Sequence, residues 1–143
     1  GEVEAALEIL SVPERLDVPL AEHAFGWRYL FLAQGRALLA VGRHAEARSV
    51  AERALALAET RGEPPQMAYA NMLLGDIAAA SDDRTAAETH FRRAYDLAQV
   101  CSMRPLAEGA SAALARAFRD GKAGLSPPHR ARERSALMPG MKK

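Results

Sequence analysis

AYANMLLGDIAAASDDRTAAETHFRRAYDLAQ, residues 68–99, repeats the spacing of an earlier stretch: Gly75, Ala87, Ala94 and Leu97 stand 40 positions after Gly35, Ala47, Ala54 and Leu57. A fixed period of this size marks units that each bury an apolar face only against their neighbours. The stretch itself splits into two helical halves. Apolar residues recur at helical spacing up to Ala80, Ser81-Asp82-Asp83 supplies turn and N-cap chemistry, and a second periodic run follows to Gln99.

Composition agrees with helix throughout. Among 143 residues, 31 are Ala while Val, Ile and Thr together make 11, a balance that favours helix over strand. The expected class is all-α, with about six to seven helices. The 19 basic and 18 acidic residues leave a net charge of +1, so no overall field draws the chain to nucleic acid or to an anionic membrane. A single cysteine, Cys101, excludes an internal disulfide and suits a reducing compartment, and no apolar run approaches the length of a membrane span. A cytoplasmic protein is the expectation. The chain opens at Gly1 without an initiator Met and enters a helical pattern at once, which suggests a piece of something longer.

Outward from the opening stretch, the spacing predicts helices over 1–10, from about 19 or 20 to 41, and over 44–61, 65–80, 84–101 and 105–119. Gly42, Gly62 and Asp120-Gly121 serve as stops, and Thr85 with Glu88 fits a capping box. In the first helix Val3, Ala6, Leu7 and Leu10 form one apolar stripe. The second carries Phe25, Trp27, Tyr29 and Phe31, half of the chain's eight aromatics. On a helix Trp27, Phe31 and Leu38 share one side, and Phe25, Tyr29, Leu32, Arg36 and Leu39 another, which predicts two buried sides. The aromatic cluster is expected to fill core beneath the first helix. Residues 1–120 read as one helical domain. Residues 121–143, with six Lys or Arg against one Glu, read as a basic segment with one short helix over 127–137 or none.

Set out this way, the pairs resemble the tetratricopeptide repeat. Leu74-Gly75 is similar to the Leu-Gly pair of that repeat's first helix, Ala87 to the small residue opening its second, Phe91 to the aromatic that follows and Ala94 to the closing small residue. Gly35, Leu38, Gly42, Ala47, Ala54 and Leu55 match in the earlier unit. The departures are Gln34 where Leu is usual, Ala51 where an aromatic is usual, Asn71 where Trp is usual, and a step of 40 residues in place of about 34. Residues 61–109 also resemble the helical C-terminal regions of bacterial signalling proteins, namely nucleotide-cyclase-linked ATPases and large transcriptional activators with an ATPase module. The resemblance implies an α-solenoid arm on a signalling protein, with a peptide-binding groove lined by the first helix of each pair. Carried onto this sequence, the groove positions are Tyr29, Leu32, Arg36 and Leu39, then Tyr69, Met72, Asp76 and Ala79, then Ala112, Arg116 and Arg119. The Lys and Asn carboxylate clamp of chaperone-binding relatives has no counterpart.

No motif for catalysis is found. His23, His44, His90 and His129 lack the paired spacings of a helical zinc site, Gly35–Gly42 lacks the Lys of a phosphate loop, and Cys101 has no His nearby in sequence. No enzyme activity, metal or cofactor is expected. The expected function is protein–protein interaction, through the groove or by self-association of the first helix, whose Val3, Leu7 and Leu10 would otherwise lie exposed. Nucleic acid is not the expected partner; the alternative is a transcriptional regulator segment that touches phosphates with the basic residues after Gly121.

Overall fold

A computed structural model of the chain describes residues 1–10 and 27–124. It contains six helices, α1 (Glu2–Leu10), α2 (Trp27–Ala40), α3 (His44–Arg61), α4 (Pro64–Ala80), α5 (Arg84–Val100) and α6 (Arg104–Gly124), and no strand among the described residues. The all-α class read from composition is therefore the observed one. The basic residues from His129 onward, Phe25, and the expected start of the second helix near residue 19 lie outside the described residues.

The chain reverses at four places by one geometry. Left-handed backbone falls at Gly42 (φ 79°), Gly62 (φ 61°), Asp82 (φ 58°) and Ser102 (φ 56°), a step of 20 residues. At each, the next residue donates its N–H five residues back, Arg43 to Leu38, Glu63 to Ala58, Asp83 to Ala78 and Met103 to Ala98, at 2.8–2.9 Å. The left-handed residue itself donates three back, to Leu39, Glu59, Ala79 and Gln99. These paired bonds satisfy the last carbonyls of each helix in a Schellman closure. Glycine takes this conformation freely, whereas Asp82 and Ser102 hold it against their Cβ.

One expected cap and one expected helix end change; α5 starts where the spacing predicts, at Arg84. Asp83 is the N-cap of α5, its carboxylate accepting from the Ala86 N–H at 3.1 Å, so Thr85 lies inside the helix and the expected capping box with Glu88 does not form. Glu88 pairs instead with Arg92 at 2.9 Å, one turn on. At the other end, α6 continues to Gly124 where a stop near Arg119 was expected. Gly121 falls one position short of the 20-residue step, and a glycine inside a helix costs only about 1 kcal/mol, too little to end it.

Each helix packs on its neighbour in sequence, and α4 also touches α2 and α6. The helices thus form two layers, α2, α4 and α6 with close backbone approach on one side, α3 and α5 on the other with their backbones farther apart. Small residues make this possible. Helix α3 buries Ala47, Ala51, Ala54 and Ala58, and α5 buries Ala87, Phe91, Ala94 and Ala98 at the same four offsets. The two matched glycines do different work. A Cβ on Gly75 would lie 2.5 Å from two atoms of the Phe91 ring, so Phe91 closes flat on that helix. Position 51 holds Ala in place of an aromatic, and the space beside Gly35 is taken by Leu73 of α4, whose Cδ2 would be 2.7 Å from an added Cβ.

Packing also corrects three expectations. Phe31 is buried, but against Ala54, Ala58 and Ala70 of α3 and α4, with the Arg53 guanidinium 5.0 Å from the ring centre, and not beneath α1. The second side of α2 is only half buried, with Tyr29 73% exposed and Arg36 exposed. Leu7 is buried with Leu38, Ala47 and Ala51, so the stripe on α1 is not left uncovered there; α1 sits on α2, and Val3 alone of its large described apolar side chains stays outside.

Candidate functional site

The face formed by α2, α4 and α6 collects the expected groove residues in columns 40 residues apart: Tyr29 with Tyr69, Leu32 with Met72 and Ala112, Arg36 with Asp76 and Arg116, Leu39 with Ala79 and Arg119. Contact between α2 and α4 and between α4 and α6 brings the columns side by side. The charged column is the clearest case. Asp76 is half-buried, and burial raises its carboxyl above the usual Asp value while the positive charges of Arg36 and Arg116 pull it back down. An arginine on each flanking helix therefore acts on one carboxylate at the centre of the face.

The aliphatic groove residues sit deeper than a lining requires. Leu32 packs against the Phe31 and Leu38 clusters, Leu39 against the Leu38 cluster, and Met72 against Ala78, Phe91 and Ala113. What the face presents outward is Tyr29, Arg36, Tyr69, Arg116 and Arg119, with Ala79 and Ala112 between them. The physical reason is the small residues of the interior: with Ala at so many buried positions, helices approach closely and draw the larger side chains at their flanks into the space between them. The outcome is an aromatic and basic surface around one acid: the charges at Arg36, Asp76 and Arg116 stay at the face, and most of the aliphatic positions withdraw from it.

Two polar features escaped the sequence reading. Asn71, 2% exposed, donates to the Met67 carbonyl at 2.9 Å and places its Oδ1 3.0 Å from His90 Nδ1. Because the Asn71 amide nitrogen is committed to Met67, its oxygen is the acceptor and His90 carries the proton on Nδ1. Burial holds His90 below the ordinary histidine range, aided by Arg93 and Arg48 and opposed by Glu52 and Asp83. The departure at position 71 was visible; its partner 19 residues on was not, since no helical spacing links them. The second feature is Gln34, 5% exposed, in a cavity of about 200 Å3 bounded by Leu7, Leu38, Arg43, Glu46, Ser49 and Val50.

Among the described residues no three of His, Cys, Asp and Glu gather as metal ligands, and no helix is long and apolar enough to cross a membrane. No family profile, curated protein or solved structure matches this chain.

Proposed function

We propose that the chain is a non-catalytic helical solenoid of the tetratricopeptide type, which captures a protein segment on the α2/α4/α6 face. The 20-residue step of the reversals and the 40-residue columns support the repeat reading. Closer backbone approach within α2/α4/α6 than between α3 and α5 supports a curve toward α2/α4/α6, the concave side in this reading. The observation that carries the binding reading is the Arg36–Asp76–Arg116 column, in which arginines from the two flanking helices act on the one carboxylate between them. Beside it, Tyr29 and Tyr69 offer rigid amphipathic contact area of the kind enriched where proteins meet. Asp76 neutralises part of the arginine charge and leaves a basic excess, so the face suits a peptide carrying carboxylates and an apolar anchor. In this reading, supported by the resemblance of residues 61–109 to arms of bacterial signalling proteins, the module works beside a catalytic or sensing part of a longer chain.

A random-peptide display library panned on the immobilised protein tests this reading. Selected peptides, remade with a fluorophore, should lose at least about tenfold in affinity to the double variant Arg36→Ala/Tyr69→Ala, as truncation of interface anchors does, while its helical circular dichroism stays unchanged. Equal affinity for the double variant and the parent rejects the face.

A further inference from the structure

The cavity between α1, α2 and α3 holds an amide that the packing does not require. Gln34 is as buried as Leu74, which stands 40 residues later and packs with Leu73 and Ile77. Leucine therefore fits the corresponding place in the next helix pair. Gln34 makes no hydrogen bond within the described residues, and its amide atoms are not sealed off, so they face the open space of the cavity. Around it the walls divide by chemistry. Leu7, Leu38 and Val50 are apolar, Ser49 offers a hydroxyl, and Arg43 and Glu46 stand exposed as an ion pair. Arg43 donates to Glu46 through Nε, at 2.7 Å, and Nη2, which leaves three of the five guanidinium N–H groups and lone pairs on both carboxylate oxygens uncommitted to that pair.

We propose that this cavity is a binding site for a free amino acid with a carboxamide side chain, glutamine fitting best, in which Gln34 reads the amide and the Arg43–Glu46 pair holds the zwitterion. A carboxamide is the self-complement of Gln34: each side supplies N–H donors and one carbonyl, so two reciprocal bonds join ligand and side chain where the amide faces the cavity. A carboxylate in its place only accepts and leaves the Gln34 oxygen facing negative charge. Among the other lining residues, Arg43 would take the ligand's carboxylate and Glu46 its ammonium, charge against charge, with Ser49 as a further hydroxyl. The methylenes lie on Leu7, Leu38 and Val50. A volume of about 200 Å3 is below the roughly 300–1,000 Å3 of drug-sized sites, which sets the ligand at amino-acid size. The site stands on its own residues and does not depend on the α2/α4/α6 face.

Titration of the 15N-labelled full chain with L-glutamine, followed by NMR, tests the proposal. Saturable shifts are expected at the Gln34 side-chain NH2 and at the Arg43 and Ser49 amides, with L-glutamate and L-leucine at least about tenfold weaker, because a site that pairs a polar group rejects analogues lacking it. Gln34→Leu should fold, given Leu74 at the matching place, and lose glutamine binding at least tenfold. Absence of saturable shifts at tens of millimolar L-glutamine, equal response to L-glutamate or L-leucine, or undiminished binding by Gln34→Leu would each overturn it. The comparison of the three ligands on the parent protein decides the matter even where the variant fails to fold.

Discussion

Replacing Gly75 by alanine tests how the two layers are joined. The added Cβ would stand 2.5 Å from Phe91 Cδ1 and Cε1 and 3.0 Å from Cζ, well inside contact distance. The ring has no room to retreat, since Phe91 is buried with Ala78, Ala87 and Ala113. Overpacking of this kind costs about 1–3 kcal/mol, and contact with three ring atoms belongs at the upper end. Alanine recovers about 1 kcal/mol of helix propensity over glycine. The balance is a loss of about 2 kcal/mol, or roughly 6 °C in midpoint for a domain of this size. Gly35→Ala is the internal control, because its Cβ clashes with one atom, Leu73 Cδ2 at 2.7 Å, where at position 75 it would meet three atoms of a rigid ring, so its overpacking cost belongs at the lower end of the range. There the propensity gain nearly offsets the clash. Urea unfolding followed by far-ultraviolet circular dichroism measures both, and Phe91→Leu in the Gly75→Ala background should recover about 1 kcal/mol through coupling between the sites. A Gly75→Ala protein as stable as the parent, or less harmed than Gly35→Ala, would refute this account of the interface.

Three further outcomes follow from the same coordinates. Asp76 has its carboxyl raised by burial, so the folded chain holds that proton to higher pH than the unfolded one. Asp76→Asn should stabilise the protein at pH 7, and the gain should vanish as pH falls toward 3.8, read from the difference between the two pH–stability curves. His90 runs the other way: burial lowers its value, the unfolded chain binds the proton more readily, and stability falls as pH drops below 6.5. His90→Gln, which keeps an N–H for Asn71, should flatten that acid limb in parallel melts. Ser102→Gly relieves a left-handed residue at φ 56° and should raise stability by about 1 kcal/mol in urea titration, whereas the same change at an exposed helical serine should lower it.

The boundaries of α3, α4 and α5 were legible because the residues that stop and start them act locally. Gly42 and Gly62 accept left-handed backbone, Pro64 suits a first turn and Asp83 caps its own helix, all within a few residues of the event. Gly75 and Phe91 were each legible as repeat positions, but that a ring closes on the gap at Gly75 shows only in the packing. What the sequence withheld depends on the angle and distance between helices. Whether Leu32, Leu39 and Met72 line a surface or fill an interior turns on how closely the alanine faces approach, and periodicity carries no such length. Leu7 meets Leu38, and Asn71 meets His90, across separations that no local pattern encodes. Gln34 shows the converse. Its oddity was plain as a departure at a leucine position, but the cavity around it exists only once α1 and α3 are in place.

The most direct test of the binding reading is the map of a display-selected peptide on the 15N-labelled protein. The account predicts shifts concentrated at Tyr29, Arg36, Tyr69, Asp76 and Arg116, with the exposed residues of the opposite layer, Arg48, Glu52 and Arg92, unmoved. Shifts centred on Arg48, Glu52 and Arg92, with the Arg36–Asp76–Arg116 column silent, would contradict it.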